Sequence, residues 1–395
     1  MKVKNQFLIT TALATGIACS FPPLGARAQN PAVPEQAPVI SGQTPDAPSP
    51  LQVVASFNEQ PTGVAVSKTG RIFVNFPYWS NQHTDSVVEL VGGHSEPFPD
   101  TIWNDPTSAL TDPAHRFVCV QSVYADPANN LWVLDAAAPK FGPVVPGGAK
   151  LVKINLGSNT VKRIYYFDGI VAPPGSYLND VRVDPVRNFA YISDSGLGAI
   201  LVLDLASGKV RRVLDGAPET MATPGHVMNI DGQELLQADG TPFTINCDGI
   251  ALDSPGDTLF FEAPSNGNLY SMPTAALRND SLNPAALRAR IRFVALIGPS
   301  DGFAWGPDGG LYITSVLNHS VKRLDPTSSL PFTVPVDDPR LSWPDSMAWS
   351  ADGWLYITAS QIPRMPRFNG GQDLAQLPYH LFRSQAITRA QPIAQ

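Results

Sequence analysis

The sequence predicts an all-β protein, and more specifically a six-bladed β-propeller with a central channel. A short motif recurs six times: a polar residue, then a small or polar residue, then a brief apolar run that ends near a turn. The polar residues of successive copies lie 44 to 69 residues apart, the range expected of propeller blades with loops of variable length. These residues are Thr62, Gln121, Asn179, Asp248, Asp301 and Asp345. Six copies indicate six blades.

Further strands are predicted after each copy, because runs rich in Val, Ile, Leu, Tyr and Phe are broken by Asn, Gly, Asp and Pro. The predicted second strands are residues 71–76, 131–136, 190–195, 259–264, 311–316 and 355–360. The predicted third strands are residues 86–91, 150–156, 199–205, 268–272 and 320–324, and the predicted fourth strands are 161–167, 210–214 and 291–297. Helical turns are predicted only at residues 274–278 and 284–288, which favours an all-β fold over an alternating α/β fold.

The first 28 residues are typical of a secretory signal peptide. Two lysines precede an apolar stretch over residues 7–21, and Ala-Arg-Ala at residues 26–28 forms a cleavage site. We therefore expect a secreted or periplasmic protein, cleaved after Ala28. A lipid anchor at Cys19 is the alternative. The apolar stretch is shorter than the ~20 residues of a membrane-spanning helix, so no membrane span is predicted.

The rest of the chain is predicted to be a linker followed by one domain. Residues 29–50 are rich in proline, lack apolar periodicity, and cannot bury enough surface to order themselves. Residues 51–395 are predicted to be the propeller, which grows by adding blades rather than by enlarging one core. Residues 51–57 have strand character, and we expect them to close the ring as the outer strand of blade 6. Such closure removes two open sheet edges.

Composition and motifs exclude several classes of function. The net charge is −7 and the basic residues are scattered, so nucleic-acid binding is not expected. The sequence contains no zinc-hydrolase, nucleophile-elbow, paired Cys-x-x-Cys or phosphate-loop motif, and its six histidines lack the spacing of metal ligands. Cys119 and Cys247 belong to blades that are not neighbours, which favours two buried free thiols over a disulfide. We expect a monomer.

The polar residues that open the six motifs are candidates for a functional site. The first strand of each blade lines the channel of a propeller, so their side chains should converge near one mouth. The alternative is that they only shape turns, by bonding to nearby backbone amides. Three carboxylates in a narrow channel repel one another, which raises their pKa values unless a cation offsets the charge. An all-oxygen cluster suits Ca²⁺, another divalent cation or an organic ammonium better than zinc.

Loops on the same face supply the rest of a predicted pocket. Tyr78, Trp79, Tyr177 and Trp343 offer aromatic walls that attract cations, although packing between blades is the alternative for each. We therefore predict binding of a small, cationic and aromatic ligand at the channel mouth. The predicted ligand-binding residues are Gln121, Tyr177, Asn179, Asp180, Asp194, Asp248, Asp301, Trp343 and Asp345.

Several stretches of the sequence resemble the major royal jelly protein/yellow family. They are Gly-Val-Ala-Val-Ser at residues 63–67 with residues 70–76, Leu-Trp-Val-Leu-Asp at 131–135, Tyr-Leu-Asn-Asp-Val-Arg-Val-Asp at 177–184, and residues 191–196, 269–274 and 366–371. The resemblance extends over residues 51–395, and is to the bacterial-type members related to dopachrome tautomerase. It implies a secreted six-bladed propeller whose channel binds small molecules, such as biogenic amines, lipids or catechol-like compounds. It implies no catalytic residue.

Two alternatives stay open. Gluconolactonase-like propellers hydrolyse lactones with a divalent metal held by Glu, Asn and Asp, and by blade position Asn179, Asp248 and Asp301 would be the metal ligands here. Thr62 stands where that family has the glutamate, which removes one charged ligand. The other alternative is a non-enzymatic interaction module, since propeller faces also bind proteins.

Overall fold

The structure of the protein is a computed structural model, which describes residues 51–326 and 333–385. Within these ranges, six four-stranded antiparallel sheets form a six-bladed β-propeller, and the fold predicted from the sequence is confirmed. The predicted signal peptide and proline-rich linker lie outside the described residues.

The first strand, β1 (Gln52–Phe57), belongs to the last blade, and blades 1 to 3 follow it in chain order. Blade 1 contains β2 (Val64–Val66), β3 (Ile72–Asn75), β4 (Val87–Val91) and β5 (His94–Pro97). Blade 2 contains β6 (Val120–Ala125), β7 (Asn130–Asp135), β8 (Lys150–Asn155) and β9 (Thr160–Tyr166). Blade 3 contains β10 (Leu178–Asp184), β11 (Phe189–Asp194), β12 (Ala199–Asp204) and β13 (Val210–Val213).

A small hairpin of β14 (Asn229–Ile230) and β15 (Gln233–Glu234) separates blade 3 from blade 4. Blade 4 contains β16 (Ile250–Leu252), β17 (Thr258–Phe261), β18 (Asn268–Pro273) and β19 (Arg292–Leu296). Blade 5 contains β20 (Phe303–Trp305), β21 (Leu311–Ser315), β22 (Ser320–Leu324) and β23 (Thr333–Asp337). Blade 6 contains β24 (Pro344–Trp349), β25 (Leu355–Ala359) and β26 (Tyr379–Ser384), with β1 as its outer strand.

The ring is closed by β1, and the closure predicted from the sequence is confirmed. This strand pairs antiparallel with β26, with Gln52 opposite Arg383 and Phe57 opposite Tyr379. The ring of Phe57 is buried and lies edge-on against Phe76, with 5.1 Å between centroids. The pairing satisfies backbone donors and acceptors of β26 that would otherwise form an open sheet edge.

Apolar side chains are buried between neighbouring blades rather than in one central core. One cluster joins Trp132 of β7 to Leu178 of β10 and Ile192 of β11. All residues of β7 and β21 are buried, whereas most of the outer strand β9 is partly or fully exposed. Cys119 and Cys247 are free and buried, as predicted. The inner strands therefore form a covered frame that holds the channel side chains.

Irregular loops contain the short helices. Two α-helices, α1 (Thr274–Arg278) and α2 (Pro284–Arg288), lie between β18 and β19, where helical turns were predicted. The side chain of Asn283 accepts a hydrogen bond from the Ala286 N–H and caps α2. The 3₁₀ helices are Pro139–Phe141, Ile362–Arg364 and Pro366–Phe368. No helix of the described ranges is long and apolar enough to cross a membrane.

Three strands of the blades were not predicted from the sequence, and neither were β14 and β15 of the small hairpin. The sequence of β5 is His-Ser-Glu-Pro, which has no apolar alternation because this outer strand is largely exposed. The strand β23 follows residues 325–332, a stretch that includes prolines and serines, and it carries a proline itself. The strand β26 is separated from β25 by two 3₁₀ helices and by turns, so it does not follow its neighbour at the usual distance.

Candidate ligand-binding site

A cavity of about 410 Å³ lies at one end of the channel. Its walls include Gln121, Asn179, Asp248, Asp301 and Asp345, one residue from each of blades 2 to 6. All five side chains are buried. Five of the six residues of the sequence repeat therefore converge on one cavity.

Hydroxyl groups from the second strands fix the backbone of the inner strands. Thr314 Oγ1 accepts hydrogen bonds from the N–H groups of Asp301 and Gly302, both at 3.0 Å. In blade 6, Thr358 Oγ1 accepts from the N–H of Ser346 at 3.0 Å. Gly302 also permits close approach of blade 6, because a Cβ there would lie 2.1 Å from the carbonyl oxygen of Asp345. Threonine side chains and glycine thus shape the entry to these two inner strands.

The aspartates of the repeat have a different role from turn formation. Within the described ranges, no backbone amide donates to the carboxyl groups of Asp248, Asp301 or Asp345. Asn179 Nδ2 donates to Asp248 Oδ2 at 2.6 Å, whereas Asp248 Oδ1 has no hydrogen-bond partner. The sixth residue, Thr62, is buried behind the cavity wall and donates to the Gln121 carbonyl oxygen at 3.1 Å. The carboxyl groups of these aspartates are therefore available to form hydrogen bonds with a ligand in the cavity.

Burial and mutual repulsion change the acidity of the three carboxyl groups. Burial, and then the charges of Asp301, Asp180 and Asp345, raise the pKa of Asp248 well above its usual range. The pKa of Asp345 is raised in the same direction, by burial first and by Asp301 second. The pKa of Asp301 is raised to about 7, mainly by burial, although the bond from Trp343 lowers it in part. The acidic end of the cavity, defined by Asp248, Asp301 and Asp345, therefore retains protons near neutral pH.

Glu262, which was not predicted from the sequence, lies close to this acidic end. Burial, followed by repulsion from Asp301, raises the pKa of Glu262 well above its usual range. The charge of Lys322 offsets this effect in part. Its neighbours Asp301 and Lys322 make Glu262 part of the electrostatic surroundings of the site, although it is not among the residues that line the cavity.

Aromatic rings form the other wall of the cavity. The Tyr177 hydroxyl donates to Gln121 Oε1 at 3.0 Å and accepts from Trp79 Nε1 at 2.6 Å. The ring of Phe141 stacks with those of Trp79 and Tyr177, with centroid distances of 4.8 Å and 5.8 Å. Burial raises the pKa of Tyr177, so its hydroxyl stays protonated. Tyr78, another aromatic candidate, stacks on His83 at 4.9 Å and does not line the cavity.

Trp343, predicted to be a stacking wall, does not line the cavity. Its ring is fully buried and packs with Val316 and Ile362. Its indole N–H donates to Asp301 Oδ2. The structure therefore gives Trp343 the role of holding the Asp301 carboxyl group, because no face of its ring is left for a ligand.

Two further predicted ligand-binding residues lie elsewhere. Asp180 lines a smaller cavity of about 200 Å³. Its carboxyl group accepts from Ser122 Oγ at 3.0 Å and from Arg182 Nη2 at 3.1 Å. Asp194 is fully buried and accepts from the Tyr177 N–H at 2.8 Å and from Arg212 Nη1 at 2.7 Å. Asp194 thus anchors the loop that carries Tyr177 rather than contacting the cavity.

Irregular loops contribute lining residues that the sequence analysis missed. Phe141, Phe243, Arg367 and Phe368 all line the cavity. None of these residues belongs to a repeated strand, so the sequence repeat that identified the aspartates could not identify them. The stretch 366–371 was noted only for its family resemblance.

A metal site was predicted at Asn179, Asp248 and Asp301, and it stays a prediction. The three side chains line one cavity and all carry oxygen atoms, and the unpartnered Asp248 Oδ1 fits a hard cation. Among the described residues, no group of three or more His, Cys, Asp or Glu side chains is arranged to hold a metal ion.

Solved structures share the propeller fold at low sequence identity. A luciferin-regenerating enzyme matches with a TM-score of 0.52 and 10% identity, over 86% of this chain and 95% of that chain. A gluconolactonase from Xanthomonas campestris matches with a TM-score of 0.51 and 12% identity, over 84% and 88%. A virginiamycin B lyase from Staphylococcus aureus matches with a TM-score of 0.44 and 16% identity, over 78% and 81%. No curated protein matches the sequence significantly.

The family comparison covers the part of the chain that contains the site. The model of the major royal jelly protein family matches residues 118–378, which is more than half of the chain. This range includes the acidic end of the cavity and its aromatic wall apart from Trp79. The resemblance noted in the sequence is confirmed: the chain belongs to the major royal jelly protein family.

Proposed function

We propose that the chain, exported by way of residues 1–28, binds a small aromatic amine or catechol-like molecule in the 410 Å³ cavity. The observation that carries the proposal is the state of Asp248. Its carboxyl group is buried and lines the cavity, yet Oδ1 has no hydrogen-bond partner among the residues that the structure describes. Leaving a buried polar atom unpaired is costly, and a hydrogen-bonding group of a ligand, such as a hydroxyl, supplies the missing bond.

The aromatic wall and the acidic end of the cavity recognise different parts of the ligand. The rings of Phe141 and Tyr177 line the cavity and give it apolar surface for an aromatic ligand. At the acidic end, an ammonium group favours the ionised carboxylate and so lowers the raised pKa of Asp301. Binding of an amine near neutral pH therefore releases a proton from the protein.

A carboxyl group that titrates near neutral pH also suits proton transfer. Asp301, with a pKa of about 7, accepts and returns a proton at the pH where such exchange is most effective. We propose an isomerisation related to dopachrome conversion as the reaction class. Such a reaction moves a proton from one atom of the substrate to another, so it needs no co-reactant.

The unpartnered oxygen of Asp248 also favours a second candidate, metal-dependent lactone hydrolysis. A divalent cation held by Asn179, Asp248 and Asp301 would supply a Lewis acid for that reaction. Thr62 supplies no additional ligand for such a cation, because its hydroxyl group already forms hydrogen bonds with the Gln121 carbonyl oxygen and with Asn75 Nδ2. We therefore place this candidate second.

Calorimetry with two probes of matched shape tests the first candidate. Tyramine carries the ammonium group, and 4-ethylphenol is its neutral analogue. Asp301→Asn should weaken tyramine binding at pH 8 by about tenfold to a hundredfold, since a charge-assisted hydrogen bond contributes roughly 1.5–3 kcal/mol. Binding of 4-ethylphenol should be almost unchanged. The control is Asp280→Asn, whose side chain is 63% exposed on the surface.

The same titration with Ca²⁺ separates the second candidate from the first. Binding of Ca²⁺ to the wild type that is lost in Asp301→Asn, together with lactone hydrolysis that a chelator abolishes, would favour the lactonase. If the wild type binds neither tyramine nor Ca²⁺ at millimolar concentrations, both candidates are rejected.

A further inference from the structure

An arginine lies at the aromatic side of the cavity. Arg367 belongs to the 3₁₀ helix Pro366–Phe368, in the segment between β25 and β26, and it lines the same cavity as the acidic end. The predicted cationic ligand gives no reason for a positive charge in this place. The cavity is thus lined by acidic residues at one end and by a basic residue at its aromatic side.

Three phenylalanine rings surround the guanidinium group. Its Cζ atom lies 4.3 Å from the ring centroid of Phe141, 5.0 Å from that of Phe243 and 5.3 Å from that of Phe368. The rings come from separate loops, so the fold assembles an aromatic enclosure around one cation. Burial lowers the pKa of Arg367 from its ordinary value. Arginine nevertheless stays charged in proteins, so the enclosure contains a positive charge.

The hydrogen bonds of Arg367 leave part of its donor capacity unused. Nη2 donates to Gln237 Oε1 at 2.7 Å, whereas Nη1 is buried without a partner in the described structure. None of the ion pairs among the described residues includes Arg367. By contrast, Arg71 pairs with Glu89 at 2.6 Å, and Arg212 pairs with Asp194 at 2.7 Å.

An arginine in this state is costly unless an anion completes its surroundings. The ring contacts supply no hydrogen-bond acceptor to Nη1, and a buried donor left without a partner destabilises the folded state. A carboxylate is a suitable partner for a guanidinium group, because its two oxygens accept hydrogen bonds from two parallel N–H groups. The amide oxygen of Gln237 occupies only one donor group.

We infer that Arg367 is an anion-binding residue of this cavity, and that the ligand is an aromatic molecule with a carboxylate. The inference extends the proposed function, because it adds a second recognised group to the same ligand. A molecule with an ammonium group and a carboxylate on one aromatic framework, such as an aromatic amino acid, satisfies the acidic end and Arg367 together.

Calorimetry with a carboxylate probe tests the inference independently of the amine. The probe is 3-(4-hydroxyphenyl)propionate, which differs from 4-ethylphenol only by a carboxylate group on the terminal carbon of the ethyl chain. Arg367→Met keeps an unbranched apolar side chain among the rings and removes the charge. We expect it to weaken binding of the carboxylate probe by about tenfold to a hundredfold and to leave 4-ethylphenol almost unchanged.

Two further variants keep the experiment informative. Arg367→Lys keeps the charge but loses the forked donor geometry, so it should bind the carboxylate with intermediate affinity. Arg364→Met removes a neighbouring arginine that does not line the cavity, and it should bind the carboxylate like the wild type. Circular dichroism and thermal melting establish that each variant is folded.

The outcomes separate this inference from the proposed function. If tyramine binds and 3-(4-hydroxyphenyl)propionate binds no better than 4-ethylphenol, the inference is overturned while the amine site stands. If the carboxylate binds in an Arg367-dependent manner and tyramine does not bind, the anion site stands while the amine proposal fails. If Arg367→Met weakened binding of 3-(4-hydroxyphenyl)propionate and of 4-ethylphenol equally, Arg367 would have only a structural role and the inference would be overturned.

Discussion

At the scale of single residues, Asp301 connects the chemistry of the cavity to the stability of the fold. Its carboxyl group is buried, receives the indole N–H of Trp343, and has a pKa raised from 3.8 to about 7. The unfolded chain loses this proton as the pH rises past 3.8, whereas the folded chain keeps it until about 7. The folded state therefore binds more protons in this window, and the free energy of unfolding falls as the pH rises through it.

Asp301→Asn should remove this pH dependence. The amide oxygen of asparagine can still accept the Trp343 N–H, so the two proteins should unfold at similar urea concentrations at pH 4. At pH 8 the variant should be more stable by a few kcal/mol, because one unit of pKa corresponds to about 1.4 kcal/mol. Urea denaturation at both pH values measures the difference. Equal destabilisation of the variant at pH 4 and pH 8 would contradict the raised pKa of Asp301.

The residues of the site differ in how far the sequence could identify them. Gln121, Asp248 and Asp301 occupy one position of a repeated motif, and a ring fold brings equivalent positions together. The direction in which Trp343 points depends on packing with distant loops, which the sequence does not encode locally. Arg367 lies in an irregular segment without a repeat, so only the assembled fold brings it to the cavity.

At the scale of structural elements, an ion pair holds the loop that carries Tyr177. Asp194 is fully buried at the end of β11 and accepts from the Tyr177 N–H and from Ser176 Oγ. Arg212, only 11% exposed, adds the matching cation from β13. Asp194 was predicted to bind the ligand, but its carboxylate instead forms an ion pair with Arg212 within the protein.

Arg212→Met should destabilise the protein by about 3 to 5 kcal/mol, because it leaves a buried carboxylate without its cation. The midpoint of urea denaturation at pH 7 measures this loss. The matched control is Lys209→Met, since Lys209 and its partner Asp280 are 66% and 63% exposed. Exposed pairs contribute about 0–1 kcal/mol, so the control should stay close to the wild type. Similar losses in both variants would mean that the Asp194 pair has no special role.

At the scale of the whole molecule, the propeller depends on β1. This strand comes from the N-terminal end of the described domain and completes blade 6, whose other strands lie at the C-terminal end. Strand periodicity and motif spacing were sufficient to predict six blades and the closing role of residues 51–57. The loops between strands could not be predicted in the same way, because their conformations follow from contacts between distant segments. Those loops provide most of the aromatic wall, so the frame of the site was more predictable than its specificity.

A chain that begins at Gln60 should be markedly less stable than one that begins at Pro50. Its loss of β1 exposes the edge of β26 and removes the buried side chains of Leu51 and Phe57. Burial of each side chain contributes about 1.5–3 kcal/mol, so the loss of these two side chains alone should lower the melting temperature by roughly 5 °C. Phe57→Ala in the longer chain should reproduce part of the fall, because it keeps the strand and deletes one buried ring. Size-exclusion chromatography should also detect association of the shorter chain through its open edge. Equal melting temperatures for the chains beginning at Pro50 and Gln60 would show that β1 does not stabilise the ring.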